Sequence, residues 1–250
     1  MRRKDAPIAI LAFIVFGAYL IGTATGFGSA IITLTFAAMF FPLEYVIPLI
    51  IPLNLVLCIY LVVRHHDGVD YKLFLRKIVP LTLLGMPVGM VLYYMTEAAS
   101  LKWIFGLFVL ALSLLEIAHL LRRKQQSALH PTGMWQTIFW LLGCGVVQGL
   151  WVSGGPVAAY WAGRNIADKK TFRSTLSLLW IVLNVVLLIT HLIAGTIDVV
   201  SARTSALLLP AVVVGIVLGE IIHTRLPERG FRIFVYLVLA FAGAAILLRG

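Results

Sequence analysis

A chain of 250 residues that is 61% hydrophobic and only 12% charged, with a mean hydropathy of +1.02, carries more apolar surface than a soluble domain of this size buries. Its net charge of +10 does not point to nucleic acid, because the basic residues gather in short loops between apolar blocks, as they do in polytopic membrane proteins. Cys58 and Cys144 lie inside apolar segments with no CxxC and no His at ligand spacing, so they read as packing residues and no disulfide, metal or cofactor is expected.

Met1-Arg2-Arg3-Lys4 followed by apolar residues has the outline of a signal peptide. The apolar run nevertheless continues from 6 to 43 without a charge, and no small-x-small site follows a short core, so cleavage is not expected. One crossing needs roughly 20 residues, and this run is interrupted at Gly22-Thr23-Ala24-Thr25-Gly26-Phe27-Gly28-Ser29. Segments are therefore predicted at 7–24 and 28–42 on either side of the break, then at 45–63, 78–95 and 101–121. A second set follows at 135–150, 154–163, 174–194, 204–222 and 231–249. Its own break is Gln148-Gly149-Leu150-Trp151-Val152-Ser153-Gly154-Gly155-Pro156.

The two sets align in landmarks. Gly28 corresponds to Gly155, Asn54 to Asn184, Asp70 to Asp198, Pro80 to Pro210, and Gly85 and Gly89 to Gly215 and Gly219, at offsets between 127 and 130. Four basic clusters then decide orientation: Arg64, Lys72, Arg76 and Lys77; Arg122, Arg123 and Lys124; Arg164, Lys169, Lys170 and Arg173; Arg225, Arg229 and Arg232. If each broken pair returns to the side it entered from, all four share one face, holding 14 of the 20 basic residues, and that face is cytoplasmic. Both termini, with Arg2, Arg3 and Lys4, then lie outside. The expected fold is an all-α integral membrane protein with an inverted structural repeat, each half a broken or re-entrant helix pair followed by three transmembrane helices. Residues 1–124 form the first repeat, 125–134 the linker and 135–250 the second, inverted repeat.

A helix that stops inside a membrane leaves unpaired N–H groups, which must be buried in protein or line a polar cavity. The second arm of each pair starts at its break, near Ser29 and near Pro156, the proline suiting a first helical turn. Two helix amino ends, each with about half a positive charge and free donors, are expected to meet near the bilayer midplane and form an anion site without lysine or arginine. The residues expected to bind substrate are Thr25, Gly26, Gly28, Ser29, Asn54, Gln148, Ser153, Gly154, Gly155, Pro156 and Asn184, with Thr23 and Thr33 nearby. Thr33 and Thr35 are also placed to bond back to their own helix, and Trp161 reads as an interface anchor. His191, Glu220 and Glu116 are candidates for proton coupling, against an alternative role as interfacial residues reaching water.

With these residues in view, the chain resembles the TauE/SafE family of sulfite and sulfonate exporters. The resemblance rests on Thr25-Gly26-Phe27-Gly28-Ser29, on Ser153-Gly154-Gly155-Pro156, on Gly68-Val69-Asp70, on Pro80 and on Gly85-Met86-Pro87-Val88-Gly89. The first half departs from the usual pattern, with Ser29 and Thr33 where further glycine and a proline are common. The resemblance implies a secondary transporter, an exporter of a small sulfur-containing anion such as sulfite, thiosulfate or an organosulfonate, in the cytoplasmic membrane. The residues alone give only a small anion. They leave open an anion channel on the same scaffold, and leave oligomeric state open, a homodimer included. No HExxH, GxSxG, P-loop or intramembrane carboxylate pair is present, so an enzyme is not expected.

Overall fold

Helix is the form these apolar runs must take, because in lipid every backbone polar group has to be satisfied within the segment. The computed structural model describes residues 2–25, 28–65, 68–122, 131–223 and 228–249. In chain order the helices are α1 (Arg2–Thr25), α2 (Ser29–Ala37), α3 (Leu43–His65), α4 (Tyr71–Leu73), α5 (Val79–Met95), α6 (Ala98–Arg122), α7 (Met134–Trp151), α8 (Gly155–Asn165), α9 (Lys169–Ile193), α10 (Val199–His223) and α11 (Glu228–Arg249). A π-helical turn, Phe74–Ile78, joins α4 to α5. Among the described residues five helices are long and apolar enough to cross a membrane: Leu43–Arg64, Tyr71–Met95, Ala98–Ala118, Lys170–Ile193 and Val199–Ile222. The protein is an all-α, multi-pass membrane protein. Arg123, Lys124 and Arg225 of the basic loops lie outside the described residues.

Three long helices begin earlier than hydropathy predicts, and for one reason. Asp70 accepts from Leu73 N–H at 2.9 Å, Asp168 from Thr171 N–H at 2.7 Å, and Asp198 from Ser201 N–H at 2.7 Å. Each carboxylate is a helix cap that sits outside the apolar stretch and recruits a polar first turn. The matched residues Asp70 and Asp198 thus do the same work in the two halves. The bonds from Thr171, backbone and then hydroxyl, hold the Asp168 carboxyl below its ordinary range. Those from Ser201 do the same for Asp198. One helix is shorter than expected: α2 ends at Ala37 and not near 42, since Pro42 restricts the residue before it and the chain turns over 38–41.

The helices sort into two compact units. One holds α1, α2, α3 as far as Leu53, α6, α10 and α11; the other holds α3 from Asn54, α4, α5, α7, α8 and α9. Within the first, α1 packs along α10 and α6 along α11; within the second, α5 packs along α7. The leading helix of each half therefore pairs with the fourth segment of the other, which is the pattern of an internal symmetry. Glycine sets these pairings. A Cβ on Gly85, Gly89, Gly145 or Gly149 would run into the backbone carbonyl of Leu142, Val146, Thr82 or Met86, so the α5 and α7 backbones touch reciprocally. The α1–α10 pair is one-sided: a Cβ on Gly219 would lie 2.6 Å from Leu20 O and one on Gly215 2.8 Å from Phe16 O. Lipid tails give helices no hydrophobic reason to associate, so such close approach is what holds them together.

Candidate functional site

The second break is a tied hairpin. At its open end Thr132 N–H donates to Asn165 Oδ1 (3.2 Å), Asn165 Nδ2 donates to Thr132 Oγ1 (3.0 Å) and to Trp161 O (2.8 Å), and Trp161 Nε1 donates to Thr137 Oγ1 (3.2 Å). The chain entering α7 and the chain leaving α8 are thereby bonded to each other, so α8 returns to the end from which α7 started. Trp161 is buried in this tie, not anchored at an interface as its type suggests, because its indole N–H has a threonine partner inside the hairpin.

At the closed end α7 stops at Trp151, and Val152 adopts a left-handed conformation (φ 55°, ψ 25°), unusual for a β-branched residue. Two side chains then shape the return. Gln148 Oε1 accepts from Gly154 N–H at 3.0 Å, and Ser153 Oγ donates to Trp151 O at 2.8 Å. Gly154 presses on α7, where a Cβ would lie 2.7 Å from Cys144 O. Gly155 opens α8, followed by Pro156, whose missing N–H costs nothing in a first turn. The amino end of α8 is therefore beside Cys144, about 15 Å along α7 from its start. With 11 residues, α8 extends only about 16 Å, short of a crossing.

The next helix covers that amino end. A Cβ on Gly155 would meet only Trp180 Cζ2, at 4.0 Å, so the space off Gly155 is otherwise open. One turn on, buried Asn184 donates Nδ2 to Trp180 O at 2.8 Å, while its Oδ1 is enclosed without a partner. Five expected site residues, Gln148, Ser153, Gly154, Gly155 and Pro156, thus form one element, and Trp180 sets the helix bearing Asn184 against it. Thr132, Thr137, Asn165 and Trp180 were not singled out from sequence, and Cys144 read there as a packing residue, which its burial against Gly154 bears out; the i, i+4 spacing of Trp180 and Asn184 is the only hint the chain offers of Trp180.

The first break uses other means. Thr25 closes α1, and Gly28 (φ 97°, ψ −1°) caps α2, a left-handed position suited to glycine. Ser29, the first residue of α2, lies against α1, since a Cβ on Gly22 would sit 2.7 Å from Ser29 Cβ and 2.8 Å from its N. Gly26, expected in the site, lies outside the described residues. Thr33 and Thr35 donate back to Ser29 O (2.8 Å) and Ile31 O (2.6 Å), so their hydroxyls serve their own helix. Thr23 is buried on α1 with its hydroxyl unpartnered, facing the seam with Gly219. With nine residues, α2 is also too short to cross. Asn54, in α3, is buried.

The candidates for proton coupling lie on three helices, α6, α9 and α10. His191 is buried in the last turn of α9, where Nδ1 and Thr196 Oγ1 are 2.7 Å apart. Thr196 N–H donates to His191 O and Gly195 N–H to Leu192 O, with Gly195 at φ 69°, which together make a Schellman helix end. Glu116 on α6 and Glu220 on α10 are half-exposed. Among the described residues no three of His, Cys, Asp or Glu cluster as metal ligands would.

The family described as sulfite exporter TauE/SafE matches residues 11–246, nearly the whole chain. No curated protein and no solved structure matches it.

Proposed function

We propose that this chain, which belongs to the sulfite exporter TauE/SafE family, holds its anion at the glycine breaks and carries it by alternating access. Family membership makes the protein a multi-pass membrane transporter and not an enzyme, one whose cargo is a small anion such as sulfite or a sulfonate. The observation that carries the site is the start of α8: a helix amino end inside a tied hairpin, at Gly155, with open space beside it and the neutral side chains of Gln148, Ser153 and Trp180 at the break. Free N–H groups and the positive end of the helix dipole suit an oxyanion there. Neutral donors hold it less tightly than lysine or arginine would, which favours release.

The binding residues at the second break are Gly155, Pro156, Gly154, Ser153, Gln148 and Asn184; those at the first are Gly28, Ser29, Thr25 and Gly26, with Asn54 in the helix that follows. Gln148 and Ser153 act by fixing the shape of the return, to judge from their bonds to Gly154 and Trp151. The halves are inverted repeats, a reading supported by the paired caps Asp70 and Asp198 and by the exchanged pairing of α1 with α10 and α7 with α5. The basic loops are cytoplasmic, the termini are outside, and the membrane is the cytoplasmic one. His191, Glu220 and Glu116 remain the candidates for coupling to protons.

Flux from purified protein in proteoliposomes tests this reading. Sulfite, thiosulfate and small sulfonates should move saturably, be stimulated by the same anion on the far side, and exceed chloride. Large single-channel currents would replace the carrier with a channel, and no flux of any sulfur oxyanion would overturn the proposal.

A further inference from the structure

We infer that the site selects anions that also carry a hydrogen-bond donor, an O–H or N–H group set a short distance from the oxyanion, and that Asn184 reads it. The inference rests on the binding site just proposed and specifies its substrate. Its starting point is an acceptor left over. Asn184 is 2% exposed, its Nδ2 donates to Trp180 O at 2.8 Å, and its Oδ1 is buried with no partner. The amide cannot be turned over to cure this, because Oδ1 would then face the Trp180 carbonyl, another acceptor. A buried acceptor without a donor is costly, by an amount comparable to a lost hydrogen bond. Such a group is a place where a ligand's donor is favoured.

Helix geometry places Asn184 beyond the amino end of α8. Gly155 lies eleven residues before Ile166, the cap that follows α8, and Trp180 lies eleven residues after Lys169, which begins α9. The two helices leave the same short turn and each rises about 16 Å, so Gly155 and Trp180 are level. The 4.0 Å approach of Trp180 Cζ2 to the Gly155 Cβ position agrees. Asn184 is one further turn along α9, about 6 Å beyond the amino end of α8. An oxyanion against the N–H groups of α8 would thus have its distal part alongside Asn184 Oδ1. Sulfite that retains its proton, a hydroxyalkanesulfonate and a carbamoylalkanesulfonate all offer a donor there; a fully ionised sulfite or an alkanesulfonate offers none.

The test uses the full chain in proteoliposomes at one pH, with three sulfonates of equal length and charge: hydroxyethanesulfonate, carbamoylmethanesulfonate and propanesulfonate. Wild-type protein should take the first two with KM about tenfold below that for propanesulfonate. In Asn184→Leu the preference should collapse, with hydroxyethanesulfonate no better than propanesulfonate. Equal KM for all three in wild type overturns the inference while leaving the transporter reading in place, and means that water satisfies Oδ1. A preference that survives Asn184→Leu also overturns it. The wild-type comparison decides the matter even where the variant fails to fold. Absence of flux for all three and for sulfite removes the transporter reading together with this one.

Discussion

Gly154 and Gly155 are neighbours of the same type, and the structure assigns them opposite responses to substitution. A methyl on Gly154 would stand 2.7 Å from Cys144 O and 3.1 Å from Cys144 Sγ, where ordinary contact begins at 3.4 Å. The obstacle is backbone carbonyl in the middle of α7, so the return strand must move out by roughly 0.7 Å, and overpacking of this kind costs about 1–3 kcal/mol. The same shift strains the Gly154 N–H bond to Gln148 Oε1, worth about 1 kcal/mol more. Gly154→Ala should therefore lower the unfolding midpoint by roughly 5–10 °C, read by tryptophan fluorescence in detergent. Gly155→Ala meets only the edge of Trp180 at 4.0 Å and should leave the midpoint within about 2 °C of wild type. Gly155→Leu should keep the protein folded and in the membrane yet reduce sulfite flux at least tenfold, because its side chain fills the space where the anion meets α8. Wild-type flux in Gly155→Leu, or a midpoint loss in Gly155→Ala equal to that in Gly154→Ala, would refute the placement of the site.

The other outcomes follow from single contacts. Asn165→Ala removes the bonds to Thr132 and Trp161 that tie the open end of the hairpin and, being half-exposed, should cost about 1–2 kcal/mol in thermal unfolding. Gly145→Ala drives a methyl into Thr82 O, and since the α5–α7 seam is backbone on both sides it should lose about 3 kcal/mol, read as a lower yield of folded protein after heating. Asp168 and Asp198 have depressed folded-state values, so their capping is complete above the ordinary 3.8 and is lost as pH falls through the lower folded value. The unfolding midpoint should be flat from neutral pH to about pH 5 and drop in stronger acid. The drop should be shallower in Asp168→Asn/Asp198→Asn, since asparagine caps without titrating.

The sequence made the breaks visible because glycine in an apolar run is conspicuous, and both α2 and α8 begin where that pattern ends. The matched glycines Gly85, Gly89, Gly215 and Gly219 stood out as landmarks, but neither their close contacts nor their partners did: spacing along one helix says nothing about which other helix comes near. The early starts of α4, α9 and α10 were hidden for a related reason. Hydropathy marks where lipid begins, whereas a helix begins at its cap, and Asp70, Asp168 and Asp198 stand several residues outside the apolar stretch. The tie between Thr132, Thr137, Trp161 and Asn165 joins residues up to 33 positions apart in types common everywhere, so no local pattern announces it. Trp161 shows the same limit, since an aromatic near a helix end reads as an interface anchor until a partner inside the protein is seen.

Helix amides are the proposed hold on the anion, and solid-state NMR of glycine-labelled protein in lipid reads those amides directly. Titrating sulfite should shift the Gly155 and Gly28 amide resonances saturably, with midpoints near the KM for flux, and leave Gly106 and Gly243 in the α6–α11 seam unmoved. Saturable flux with no shift at Gly155 or Gly28 would contradict it.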